Sequence, residues 1–339
     1  MPDTALICTT INNPVVLRQY RASDPDVLFI IAGDLKTPHD DVRALCDELK
    51  NAIYLSPLAQ QSLSYACSEV IGWGSIQRRN IALLEALRAG AQVVVSVDDD
   101  NGPDSKSYFG DLRESFEGPL GGVIDEGEWF NLGKVADTPF YYRGYPFSLR
   151  QDMRMPQMLN RVEPGECCVG IVNGRIYGDP DINAIDRYPD GGPRVRRYNL
   201  SSIYINPRTA WTPINSQNTA YVRELAPLAF VLPGIGRYDD IWASYMAQRV
   251  MEATDYHVYF GEPSVVQERN PHNWLKDLEN ELYGMRLTEQ FCADLKAVEV
   301  DESASILENL ERVRLGVGWL PQQTRDFLRC YVDDVARVL

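Results

Sequence analysis

The sequence predicts an α/β fold: a mostly parallel, Rossmann-like sheet flanked by helices and followed by a helical C-terminal extension. Three observations predict it. Short apolar, β-branched runs alternate with helical periodicity through the first hundred or so residues. The last of these runs, Ala91 to Val97, ends in consecutive aspartates. Beyond Trp274 the pattern becomes wholly helical.

Ala5 to Thr10 and Val27 to Ala32 read as buried strands, the first broken by Asn12-Asn13-Pro14 and the second closed by Gly33-Asp34. Thr37 suits a helix N-cap and Pro38 a first helical position. Val42, Leu45, Cys46 and Leu49 then repeat at the spacing of one buried helix face. With a third strand at Ala52 to Leu55, this makes a β-α-β unit. A further helix is expected from Ser75 to Ala89, with Ile76, Leu83, Leu84 and Leu87 apolar and Gly90 as its stop. The near-continuous β-branched run that follows reads as a central strand covered on both faces. Leu275 to Tyr283, Ser303 to Leu315 and Gln322 to Leu339 are helical patterns, and no Pro-, Gly- or Ser-rich linker separates them from the rest. Asp179 to Pro193 is Gly/Pro-rich and reads as an irregular loop, a candidate lid.

Composition narrows the function classes. The chain has 339 residues and carries 33 Lys and Arg against 48 Asp and Glu, a net charge of −15 with no basic run. That argues against a nucleic-acid partner. An acidic protein that binds an anion must do so locally, through a metal, helix N-termini or a few arginines. The seven cysteines, without CxxC spacing, read as reduced thiols. No apolar run approaches the roughly 20 residues of a membrane span. The expectation is a cytoplasmic protein with no membrane partner.

Chemistry is expected at Asp98-Asp99-Asp100, because ligands of open α/β sheets bind beyond the carboxyl ends of the strands. By strand alternation Asp98 and Asp100 point to one side and Asp99 elsewhere. Two hard oxygen ligands on one side suit Mn²⁺ or Mg²⁺, with positions left for waters and diphosphate oxygens.

A resemblance can be read from particular residues. Ile11 to Pro14, Asn51 to Ser56, Arg79-Asn80-Ile81 and Val97 to Asp100 look like the N-terminal part of the plant STELLO glycosyltransferases. Gly144-Tyr-Pro-Phe-Ser-Leu-Arg150 and Gly236-Arg-Tyr-Asp-Asp-Ile-Trp242 resemble signatures of the reversibly glycosylated polypeptides, or UDP-arabinopyranose mutases. The motifs follow the family's order and span about residues 5 to 285. Departures exist: Gln151-Asp152 replaces Glu-Gly, and Asn101 rather than Cys follows the aspartates.

The resemblance implies a glycosyltransferase-A type fold over residues 1–285, with the helical extension 286–339 packed on the same domain. It also implies a UDP-sugar substrate, a divalent metal at Asp98 and Asp100, and a sugar carried transiently on Arg150 during pyranose/furanose interconversion. The alternative is a glycosyltransferase that passes the sugar to a separate acceptor. A homo-oligomer stays open.

A guanidinium is charged near neutral pH, so a carboxylate must take a proton as Arg150 bonds to the sugar. Asp239 and Asp240 are the candidates, or else they cap the helix that follows. Arg150 is otherwise a diphosphate clamp. Candidate nucleotide-sugar contacts are Asp98, Asp99, Arg78, Arg79, Asn80, Asn215, Gln217 and Asn218. The plant mutases carry a histidine where this chain has Gln267, so the third metal ligand is His272, or else water or substrate.

Overall fold

The computed structural model describes residues 3–124, 127–150, 160–188, 190–200, 202–267 and 273–339. The chain first builds β1 (Thr4–Thr10), α1 (Leu17–Ser23), β2 (Leu28–Gly33), α2 (His39–Leu49) and β3 (Ala52–Leu55). Short helices α3 (Pro57–Ser62) and α4 (Ala66–Ile71) lead through a 3-10 turn, Ile76–Arg78, into α5 (Arg79–Arg88). Next come β4 (Val93–Val97), β5 (Asn101–Pro103), α6 (Tyr108–Phe116), β6 (Gly121–Ile124), β7 (Asn160–Val162) and β8 (Cys168–Gly178). The remaining elements are β9 (Ile203–Ile205), β10 (Asn218–Val222), α7 (Asp239–Met251), β11 (Tyr256–Gln267), α8 (Trp274–Lys296), α9 (Ile306–Gly316) and α10 (Gln322–Val338).

Among the described residues eleven strands join one sheet in the order β3-β2-β1-β4-β10-β8-β11-β9-β6-β7, with β5 added to the far end of β11. From β3 to β4 the pairing is parallel, as the β-α-β reading requires. β10 then runs antiparallel between β4 and β8, and the parallel pairs β8–β11 and β6–β9 complete a mixed second half. The architecture is of the glycosyltransferase-A type. Side-chain alternation separates two cores. Ala5, Ile7, Ile30 and Ala32 pack with α5 and the C-terminal helices, whereas Leu6, Cys8, Phe29 and Ile31 pack with α1, α2 and α6. With both faces covered, β1 and β2 are buried at every position.

Three expectations change. Thr37 does not cap α2: its hydroxyl donates to the Thr10 carbonyl (2.7 Å) and accepts from the Asp34 amide (2.7 Å), tying together the ends of β1 and β2. The helix expected from Ser75 opens as a tighter 3-10 turn capped by Ser75, which leaves Ile76 47% exposed at a cavity rim. The loop expected as a lid is held down along its first part: Arg187 pairs with Asp179 (2.5 Å) and the Pro180 carbonyl (2.6 Å), and the Ala184 amide donates to Glu281 (2.7 Å). Its polar groups are buried and must be matched, so the polypeptide is fixed there.

The C-terminal helices pack on the body of the sheet domain, and α8 runs unbroken through residue 285. Asp334 of α10 accepts from the amides of Ala66 (3.2 Å) and Cys67 (2.8 Å), a carboxylate at the positive end of α4. Thr324 and Tyr331 donate to the carbonyls of Pro233 (2.7 Å) and Pro227 (2.9 Å). All seven cysteines are free thiols, and among the described residues no helix is long and apolar enough to cross a membrane.

Trp242 of α7 joins the helical layers. It is fully buried, stacks on Phe291 with ring centroids 4.3 Å apart, and donates to Thr288 Oγ1 at 2.9 Å. Trp242→Ala should cost about 3–5 kcal/mol, through the cavity it leaves and the lost ring contact. Urea unfolding checks this, and an unchanged midpoint would contradict the assigned packing.

Candidate functional site

A cavity of about 450 Å³ opens beyond the carboxyl end of β4. Its walls are the Gly74–Gln77 loop, Asp98 and Asp100, the Ser216–Gln217 turn before β10, the start of α7 with Asp239 and Asp240, Gln267 at the end of β11, and Arg143, Arg237 and Asn280. The Gly74–Gln77 loop is held by Asp34 at the end of β2, whose carboxylate accepts from the amides of Gly74 (2.8 and 2.9 Å) and Ser75 (3.1 Å).

Asp98 and Asp100 both face this cavity, while Asp99 turns back onto β1 and accepts from the Thr10 hydroxyl at 2.5 Å. Arg79, 1% exposed, pairs with Asp98 at 2.5 Å and reaches Ser216 through its hydroxyl (2.8 Å) and carbonyl (3.1 Å). Across the cavity, Gln267 lies opposite Asn101 in the β5–β11 ladder, and its buried Oε1 has no hydrogen-bond partner. The buried Oε1 of Gln217 is likewise unpartnered. Asp98 and Asp100, on one side of the cavity, are hard oxygen donors of the kind that suits Mn²⁺ or Mg²⁺. Among the described residues no three acidic, cysteine or histidine side chains converge on one point. His272 lies outside the described residues.

The opposite wall centres on Arg143, which is buried. It grips Asp181 with two nitrogens (2.8 and 3.0 Å), reaches Asp240 (3.0 Å), and donates to the Arg237 carbonyl. Asp240 also accepts from the Ser216 amide at 3.0 Å. Asp239 accepts from Gln77 at 2.6 Å and from the Asp240 amide at 3.1 Å. Burial, reinforced by the Asp240 charge, pushes the Asp239 carboxyl up to about 7.

Arg150 ends a 3-10 turn, Phe147–Leu149, that follows Gly144. Gly144 adopts φ +83°, and a Cβ there would lie 2.3 Å from Ile241 of α7; Gly236 adopts φ +69°, and a Cβ there would lie 2.1 Å from the Asn280 carbonyl. Both seven-residue motifs therefore open on a position where close approach and left-handed backbone require glycine. The Arg150 guanidinium lies over Phe147 (3.8 Å) and Tyr141 (5.0 Å). Its Nη1 donates to both oxygens of Asp186 at 2.9 and 3.0 Å. Among the described residues Nε and Nη2 are buried without a partner. Arg150 is not among the side chains lining the cavity. Asp186, rather than Asp239 or Asp240, is the carboxylate that meets it among the described residues.

Comparison with known proteins places these motifs. The family described as "Reversibly glycosylated polypeptide" matches residues 134–313, more than half of the chain, and takes in Arg143, Arg150, Asp181, Asp186, Asp239 and Asp240. The chain belongs to the reversibly glycosylated polypeptide family. It is 26% identical over 172 residues to "Probable UDP-arabinopyranose mutase 4" of Arabidopsis thaliana, covering 45% of this chain and 43% of that protein. It is 24% identical over 174 residues to "Probable UDP-arabinopyranose mutase 1" of Pisum sativum, covering 50% and 43% respectively. The matched stretch thus spans under half the length of these relatives.

Within this family member, the other residues singled out from sequence separate into two groups. Gln217 lines the cavity, Arg79 stands behind its wall and holds Asp98 and Ser216, and Asn215 supports the turn by accepting from the Gln217 amide at 3.2 Å. Arg78, Asn80 and Asn218 are engaged in holding the fold. Arg78 bonds Gln60 (2.7 Å) and Ser68 (3.0 Å) and lies over Trp73, and burial lowers its pKa to about 10. Asn80 clamps both backbone polar groups of Val231 at 2.8 Å, and Asn218 binds Tyr108 (2.6 Å) and the Pro263 carbonyl (2.9 Å). Sequence reasoning passed over Arg143, Asp181 and Asp186. The signals for them were an arginine directly before the Gly144 motif and four aspartates in a loop otherwise rich in Gly and Pro.

The raised Asp239 carboxyl predicts a pH effect. Its folded pKa of about 7 exceeds the ordinary 3.8, so the folded chain holds an extra proton between those values and loses stability as pH rises through that window. Relative to Asp239→Asn, the wild type should become less stable to urea from about pH 4 to 7 and then level off. A constant difference between the two proteins would contradict the burial of a charge there.

Proposed function

We propose that the protein is a metal-dependent UDP-sugar mutase that interconverts the pyranose and furanose rings of a UDP-arabinose-like sugar, with Arg150 as the transient carrier of the glycosyl group. The observation that carries this reading is the contrast between two arginines. Arg143 has its nitrogens engaged by two aspartates and a carbonyl, as a buried structural cation requires, whereas Arg150 meets a single carboxylate, Asp186, through Nη1 alone, with Nε and Nη2 unmatched among the described residues. The family match and the names of the two plant relatives support the same substrate class.

Asp98 and Asp100 would hold Mn²⁺ or Mg²⁺, which supplies charge neutralisation for the leaving diphosphate. The chain's own residues do the rest. Arg237, half-exposed at the rim, offers a cation to the diphosphate although its other partners are Glu281 (3.2 Å) and Asp277 (3.6 Å). The unmet oxygens of Gln217 and Gln267 accept from sugar hydroxyls or base N–H groups. Asp240, fixed by Arg143 and Ser216, orders the wall against which the sugar lies.

Purified protein incubated with a panel of UDP-sugars and Mn²⁺ should gain one glycosyl mass on the peptide containing Arg150, and excess UDP should remove it. Arg150→Lys keeps a charge but not the delocalised nitrogens, so it should bind nucleotide yet lose both adduct and ring isomerisation. Asp100→Ala should abolish turnover and nucleotide binding with little change in unfolding midpoint, whereas Asp98→Ala should abolish both and also lower the midpoint, because buried Arg79 loses its carboxylate. Full activity in EDTA would remove the metal from this reading. A wild type that is never labelled, yet hands sugar to an added acceptor, would favour a transferase.

A further inference from the structure

We infer that Asp186 is the base that takes the proton from Arg150 when the glycosyl bond forms; the inference rests on the carrier reading above. The central carbon of the Arg150 guanidinium lies 3.8 and 5.0 Å from the ring centroids of Phe147 and Tyr141, which stabilise the cation. Asp186 is the carboxylate that meets it among the described residues, with both oxygens on Nη1 at 2.9 and 3.0 Å. This is within the reach that proton transfer needs.

Other carboxylates near the motif are engaged elsewhere: Asp240 with Arg143 and the Ser216 amide, Asp239 with Gln77, and Glu289 with the Ser148 amide. Asp186 also sits on a rigid platform. Asn183 donates to its Oδ2 at 3.0 Å and accepts from the Tyr238 hydroxyl at 2.5 Å, so the second motif positions the base that serves the first. Glu281 holds the Ala184 amide at 2.7 Å, and Arg187 fixes the loop on the other side through Asp179. With 29% of its side chain exposed, Asp186 keeps access to solvent through which the proton can leave.

The step balances. A proton passes from Nη1 to Asp186, the Nη1–C1 bond forms, and the C1–O bond to the diphosphate breaks with its electron pair on the departing UDP. The adduct remains a guanidinium, and the neutral carboxyl returns the proton when UDP reclaims the sugar.

The test is the rate of wild-type and variant labelling at Arg150 by UDP-arabinopyranose, read by peptide mass at several pH values, with UDP affinity measured in parallel. Asp186→Asn keeps an oxygen for Nη1 but no base, so labelling should slow by about 100-fold or more while UDP affinity changes little. Its rate should climb with pH from about 7 to 10 as hydroxide substitutes for the missing base, whereas the wild type stays flatter. Asp186→Glu restores a carboxylate and should label at least about tenfold faster than the asparagine variant. Labelling of Asp186→Asn at the wild-type rate, or equal slow and pH-independent rates for both variants, would overturn the inference while leaving the carrier reading intact. A wild type that is never labelled by any UDP-sugar would bring down the carrier reading and the inference with it.

Discussion

A guanidinium withdrawn from water must be matched on every side that protein covers, and Arg143 meets that requirement by drawing three separate segments together. Asp181 comes from the loop after β8, Asp240 from the first turn of α7, and the Arg237 carbonyl from the Gly236 motif. Removing one partner of such a set typically costs about 3–5 kcal/mol, because the remaining charge stays buried. The same contacts decide the electrostatics of the wall. One cation is shared between two aspartates, so the adjacent Asp239 is left in a buried site with a neighbouring negative charge, and its carboxyl is raised. Arg79 does for Asp98 what Arg143 does for Asp240, and both pairs meet at Ser216. A chain of net charge −15 thereby builds a cavity in which Asp98 and Asp240 are each matched by a buried arginine.

The first half of the fold was legible because its signals are local. Alternating apolar runs could be only strands covered on both faces, and the residues of β1 divide between the two cores as alternation requires. Gly90, at φ +80°, ends the α5 segment where a stop was expected. The failures came where a distant partner outbids a local one. Thr37 has the chemistry of a cap, yet the Thr10 carbonyl twenty-seven residues away takes its hydroxyl. The antiparallel insertion of β10 beside β4 leaves no mark in either strand's own pattern.

The site was legible to the same degree. Asp98 and Asp100 share the cavity and Asp99 points away, as alternation suggested, although a turn after β4 rather than extended backbone delivers them. What Arg150 meets does not, because Asp186 approaches from a loop whose course depends on Glu281, Arg187 and Tyr238. Asn80 and Asn218 show the converse: polar residues inside suggestive motifs whose amides are engaged by backbone far away in sequence. Polarity in a motif marks a residue that needs a partner, and only the fold decides whether that partner is protein or ligand.

The Asp334 carboxylate at the start of α4 bears on how the chain is made. Tyr65, Cys67 and Ile71 belong to the core that α5 and the first strands share, yet Phe327, Leu328, Tyr331 and Val335 of α10 pack in that same core. During vectorial synthesis the early strands and helices emerge with this face bare, and it is closed only by residues translated more than 250 positions later. The N-terminal half therefore passes through a prolonged interval with apolar surface open to water, the interval in which a nascent chain most needs a chaperone.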